Sequence, residues 1–243
     1  MTGRASEPAV TAALELTGVT VRRGSGPVIR DVSLTVAPGS VTALVGPNGA
    51  GKTSLLEAVS GVTAPSAGGI HLDGTPLTAL SRTRRARLGL VHIEQGRAVF
   101  PSLTVWENVR IAAADRGEAR EALDRFPELA KRRDSPCGLL SGGEQQMVVL
   151  ARACAARPRV LLVDEMSLGL APVVFTRLLP MIEEIARGGA GVLLVEQFTH
   201  LALSLAGSAL VVAGGRVTYQ GDAAALRDSP EILHRAYLGG ATA

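Results

Sequence analysis

Lysine is scarce in this chain. Of its 25 basic residues only Lys52 and Lys131 are lysine, the rest being arginine, and 22 acidic residues leave a net charge of +3. A balance that small excludes a strongly basic nucleic-acid arm, and no basic patch interleaved with aromatics is present, so no nucleic-acid partner is expected. Aromatic residues make up only 3% of the sequence. Two cysteines, Cys137 and Cys154, have no metal-ligand spacing and no disulfide framework is expected at this size, so both read as small structural residues. His71, His92, His200 and His234 are scattered without the spacing a structural zinc ion needs. No apolar run reaches the roughly 20 residues of a membrane-spanning helix. The longest weakly polar stretch, 201–213, contains Ser204, Gly207 and Ser208. The N-terminus carries Arg4 and Glu7 without an apolar core and is not read as a signal peptide. A soluble cytoplasmic chain is the expectation.

What is present is enough apolar material, 47% of 243 residues, to bury a core in one large domain, with room for an inserted lobe. Residues 1–12 read as a disordered lead and 13–243 as the folded domain. Residues 14–21 and 32–36 alternate like half-buried antiparallel strands, and 41–45 is a short apolar run that breaks into glycine. A helix is expected from about Lys52, and strands at 68–72, closed by an Asp73-Gly74 turn, and at 88–92. The arginine run at 82–87 reads as a solvated helix face. From 104 to 156 the pattern is almost wholly helical with breaks at Pro127, Pro136 and Gly138, which makes about 96–156 an inserted helical lobe. Beyond it strands at 160–163 and 192–195 alternate with a helix over 173–186 and part of another over 201–206. A hairpin of 209–213 and 216–220 closes the pattern. The fold class is α/β: a mainly parallel sheet core, an N-terminal antiparallel β subdomain and an inserted helical subdomain.

Gly46-Pro47-Asn48-Gly49-Ala50-Gly51-Lys52-Thr53, with Ser54 next, follows an apolar strand and opens a helix, the context a P-loop requires. Its glycines admit positive φ, so successive N–H groups can turn inward as a nest for phosphate oxygens, and the helix N-terminus adds partial positive charge. Lys52 would reach the β- and γ-phosphates of ATP, and the Thr53 hydroxyl would ligate Mg²⁺. The apolar run 160–163 ends in Asp164-Glu165, where ligands bind an open parallel sheet. Asp164 suits Mg²⁺. Glu165 is the candidate general base that polarises the attacking water. No Asn-Lys-x-Asp guanine-reading motif can be written with these two lysines.

Leu140-Ser141-Gly142-Gly143-Glu144-Gln145-Gln146 resembles the signature motif of ABC-type ATPases, a P-loop NTPase family. Ser141, Gly142 and Gly143 would set a hydroxyl, bare backbone and a helix N-terminus against a γ-phosphate. The resemblance implies that this phosphate comes from a partner cassette, related or identical, in a head-to-tail dimer that buries each ATP between the P-loop of one chain and the signature of the other. It covers about 14–240. The stretch 96–108 (GRAVFPSLTVWEN), the run 167–172 (SLGLAP) and the closing 236–239 (AYLG) are similar to the smaller ATPase subunit of bacterial branched-chain amino acid importers, a pattern shared with urea and short-chain amide importers.

The resemblance assigns Gln95 the Q-loop position, sensing Mg²⁺ and the attacking water, and Gln197 the position where most cassettes have the switch histidine. A glutamine can hydrogen-bond a γ-phosphate oxygen but cannot take a proton as imidazole can. His200 reads as a surface or packing residue. Met166 stands where proline usually follows the glutamate, a departure expected to loosen that turn. Arg23 occupies the place of the adenine-stacking aromatic and is either a guanidinium platform for the base or a solvated strand end. The implied partners are two membrane-spanning permease subunits, the second cassette and, indirectly, an extracytoplasmic solute-binding protein, with the chain peripheral on the inner face of the membrane. A non-hydrolysing regulatory subunit and a soluble ABC ATPase acting on nucleic acid stand as alternatives.

Overall fold

The computed structural model describes residues 13–24, 26–96 and 98–239. The lead expected over 1–12 lies outside them. Strands β1 (Leu14–Arg23) and β2 (Gly26–Val36) pair antiparallel and turn Leu14, Leu16, Val19, Val21, Ile29, Val32, Leu34 and Val36 to the interior. After β3 (Val41–Val45) and α1 (Lys52–Ser60), strands β4 (Ala67–Leu72) and β5 (Thr75–Pro76) complete an antiparallel sheet of order β2-β1-β4-β5. Next come α2 (Arg82–Arg87) and β6 (Leu90–Ile93). The expected strand at 88–92 begins later, because Leu88 closes α2 through its N–H to Arg84 and Gly89 turns the chain at φ 96°.

Between β6 and β7 (Val160–Asp164) the chain is helical: α3 (Val105–Arg110), α4 (Arg116–Asp124), α5 (Pro127–Ala130), a single 3-10 turn at Cys137–Leu139, and α6 (Gly142–Ala155). Pro127 opens α5 rather than breaking a helix, since its missing N–H falls where a first-turn donor has no partner anyway. The break that sequence reading missed lies at 111–115, where Asp115 caps α4 by accepting from the Glu118 N–H. Helix 173–186 is likewise two pieces, α7 (Pro172–Thr176) and α8 (Leu179–Arg187). Pro180 cannot donate to residue 176 and its ring would meet that carbonyl, so a continuous helix is blocked. Then follow β8 (Gly191–Val195), α9 (Thr199–Leu205), β9 (Ser208–Ala213), β10 (Arg216–Asp222), and two helices that sequence reading did not anticipate, α10 (Ala223–Asp228) and α11 (Pro230–Tyr237).

The second sheet runs β10-β9-β3-β8-β7-β6, parallel except for β10. Its central strands β3, β7 and β8 are buried at every position because each face meets a different core. Ala43, Leu161, Val163, Val192 and Leu194 face the helical side, while Leu44, Val160, Leu162, Leu193 and Val195 face the antiparallel sheet and α1. Helix α1 is thereby wedged between the two sheets through Leu55, Leu56, Ala58 and Val59. The arginine run is not all solvated. Arg85 is buried and donates to the carbonyls of Ala58, Val59, Leu80 and Thr78, so its guanidinium closes the C-terminal end of α1.

Candidate active site

The parallel sheet sets β8 between β3 and β7, and the loops after these strands meet at one edge. After Val45 the chain doubles back through glycines into α1. Gly46 has φ 154°, and a Cβ there would lie 2.1 Å from the Val212 carbonyl oxygen; Gly51, at φ 100°, would strike the Val28 carbonyl at 2.6 Å. Only glycine fits either position. Lys52 is 6% exposed, and its ammonium donates to the carbonyl oxygens of Gly46 at 2.9 Å and Pro47 at 3.2 Å. The lysine thus folds back over the loop it follows. Burial lowers its pKa, and the nearby Glu165 and Asp164 oppose that effect.

Asp164 is buried at the end of β7, and the Thr53 hydroxyl donates to its Oδ1 at 3.3 Å. Burial raises its pKa to about 6, the Thr53 hydrogen bond working against the shift and the adjacent Glu165 with it. Glu165 adopts φ 44°, a left-handed conformation uncommon outside glycine that turns the chain sharply off the strand. Its backbone N–H is held by the Val195 carbonyl at 2.9 Å, and its side chain accepts from Gln95 Nε2 at 2.9 Å. Met166 follows in the same turn. It is wholly buried in the helical-side core and anchors the loop apolarly where proline would stiffen it.

One open cleft of about 450 Å³ is lined by Asn48, Gly49, Gly51, Lys52, Thr53, Ser54, Gln95, Glu165 and Gln197 among the expected residues, with Val28 and Leu168 added. Among the described residues no three His, Cys, Asp or Glu side chains converge as a metal cage. The paired hydroxyl and carboxylate of Thr53 and Asp164 are nevertheless the hard oxygen donors that Mg²⁺ takes, an ion that usually draws only one or two ligands from protein and the rest from phosphate and water.

Ser141, Gly142 and Gly143 do not line this cleft. Ser141 is the N-cap of α6 in a reciprocal capping box: its Oγ accepts from the Glu144 N–H at 3.4 Å, and Glu144 accepts from the Ser141 N–H at 2.8 Å. A Cβ on Gly143 would come within 2.7 Å of Val174 Cγ1, so α7 packs closely over that turn. Arg23 is exposed at the end of β1, where its guanidinium pairs with Glu57 on α1. The residue that sequence reading passed over is Glu196, buried beside Gln197 and bonded to Ser167. A charge at the end of an otherwise apolar strand was the available signal.

Residues 29–167 match the ABC transporter family model. The chain is 38% identical over 218 residues to the high-affinity branched-chain amino acid transport ATP-binding protein BraG of Pseudomonas aeruginosa, covering 87% of this chain and 93% of that one. It is 34% identical over 220 residues to the lipopolysaccharide export system ATP-binding protein LptB of Escherichia coli strain K12, covering 87% and 91%. A solved ATP-binding subunit of an ABC transporter superposes with a TM-score of 0.80 at 27% identity, covering 93% of this chain and 98% of that one. By this family match, these identities and this fold, the chain belongs to the ABC transporter family as an ABC-type ATPase, the subunit that couples ATP hydrolysis to transport.

Proposed function

We propose that this ATPase drives uptake of branched-chain amino acids. The observation that carries the catalytic part is the convergence on one cleft of Lys52, Thr53, Gln95, Glu165 and Gln197, with Asp164 directly behind. Residues 46–51 (GPNGAG) and the backbone of Lys52, Thr53 and Ser54 cradle the triphosphate, with the Lys52 ammonium on its terminal phosphates. Thr53, Asp164 and Gln95 would hold Mg²⁺. The ion supplies charge neutralisation at the phosphates when bound. Glu165 takes the proton of the attacking water, Gln95 orients that carboxylate, and Gln197 donates its amide to the γ-phosphate without a proton role. Arg23, steadied by Glu57, offers a flat guanidinium to the adenine.

Ser141, Gly142 and Gly143 serve the ATP of a second cassette, related or identical, in a head-to-tail dimer. That dimer sits on the inner face of the membrane against two permease subunits, supplied by an extracytoplasmic solute-binding protein. Among the described residues no helix is long and apolar enough to cross a membrane, in keeping with a peripheral subunit. The solute class rests on similarity to BraG; similarity to LptB favours lipopolysaccharide export as the second reading.

The test is reconstitution with the cognate permease subunits in vesicles. ATP-dependent entry of labelled leucine, isoleucine or valine is expected, abolished in Glu165→Gln while ATP binding and a closed dimer persist. Hydrolysis unaffected by that substitution would remove the assigned base; active hydrolysis with no branched-chain uptake would remove the solute assignment alone.

A further inference from the structure

Glu196 stands at the exit of β8, 2% exposed, where a carboxylate loses its hydration and is kept only if donors replace it. Two come from Ser167: its hydroxyl donates to Oε2, and its backbone N–H donates to Oε1 at 3.3 Å. Ser167 lies two residues after Glu165, in a loop that also carries its own turn bonds, Leu168 N–H to the Glu165 carbonyl at 3.1 Å and Leu170 N–H to the Ser167 carbonyl at 2.9 Å. One buried carboxylate, on the residue directly before Gln197, therefore grips the loop that carries the base and Leu168 into the cleft.

We infer that Glu196 is a positioning residue for hydrolysis, holding the 165–170 loop and Gln197 in register through Ser167. The inference rests on the ATPase reading above. A side chain that touches no substrate yet fixes the base should affect the rate of the bound complex and not nucleotide affinity. Buried hydrogen-bonded groups that act as a unit also give non-additive losses when removed one by one.

The experiment is a double-mutant cycle on the full chain assembled with its permease partners, using Glu196→Gln, Ser167→Ala and the double variant, with melting curves and ATP binding recorded for each. Expected are losses in kcat of about ten-fold in each single variant with KM for ATP within about two-fold, and a double variant no worse than about two-fold below the weaker single. A kcat near that of the unmodified chain in Glu196→Gln, losses that multiply in the double variant, or a loss confined to KM would overturn the inference while leaving the ATPase reading intact. Should Glu196→Gln fail to fold, Ser167→Ala decides alone, unchanged kcat counting against. No hydrolysis by the unmodified complex would overturn both.

Discussion

Gln95 Nε2 donates to Glu165 Oε2 at 2.9 Å. Gln95 lies just past β6 on the segment leading into the helical lobe, and Glu165 lies just past β7, so the carboxylate assigned as base is oriented from the chain that enters the lobe. Gln95→Ala removes that orientation without touching the phosphate nest. Hydrolysis should slow by about ten-fold with ATP affinity within about two-fold, measured as separate kcat and KM. A rise in KM with kcat unchanged would instead make Gln95 a binding residue.

Lys52 is the next test, because its ammonium is enclosed by the Gly46 and Pro47 carbonyls. Arginine keeps the charge but brings a wide planar fork where a compact ammonium fits. Lys52→Arg should lose hydrolysis while the melting temperature stays close to that of the unmodified chain, and near-normal turnover would count heavily against this phosphate site.

Ser141 has both a structural task and a proposed catalytic one, and two substitutions separate them. Ser141→Ala loses the cap and should cost about 1 kcal/mol of stability, whereas Ser141→Asp retains an equally good cap. Both should abolish ATP-driven transport, the aspartate because its negative charge meets a phosphate. Normal transport by Ser141→Asp would reduce Ser141 to a helix cap.

Arg85→Met should destabilise the chain by about 3 kcal/mol by leaving the α1 and neighbouring carbonyls without their donor. In a chain of this size that is a fall of roughly 6 to 12 °C in melting temperature. A smaller change, under about 2 °C, would show that water replaces the guanidinium there.

Burial pushes the Glu196 carboxyl up to about 7 from an ordinary value of 4.5, outweighing its hydrogen bonds from Ser167. Between those values the folded chain binds more protons than the unfolded one, so this contribution to stability is complete below the lower value and is lost as pH rises through the upper. From about pH 5 to pH 8 the nucleotide-free chain should lose on the order of 2 kcal/mol that Glu196→Gln does not lose. Urea unfolding of both proteins at the two pH values would measure it, and a pH-independent difference between them would refute the assignment.

Local chemistry made much of this protein legible in advance. The glycines around Lys52, the apolar run ending at Asp164-Glu165 and the Ser141-Gly142-Gly143 turn are each defined by neighbours in sequence. Short apolar runs sufficed to place every strand of the parallel sheet, though β6 was shifted because the closing turn of α2 could not be foreseen. Helix breaks were less legible. Pro180 sits where it splits one expected helix in two, and the gap at 111–115 depends on the Asp115 cap.

Tertiary structure decided the rest. Nothing along the chain says that Arg85, in a run of arginines, is the one drawn inward to close α1, or that Arg23 is claimed by Glu57. Nor does spacing reveal that Glu196 reaches Ser167, 29 residues away. The sequence by itself determined which residues can bind phosphate and polarise water, since that is intrinsic to a glycine turn, an ammonium and a carboxylate at a strand end. Which of its charged side chains act on one another was settled only when the parallel sheet set β3, β7 and β8 side by side, because burial and partner distance, not residue type, decide what a charge does.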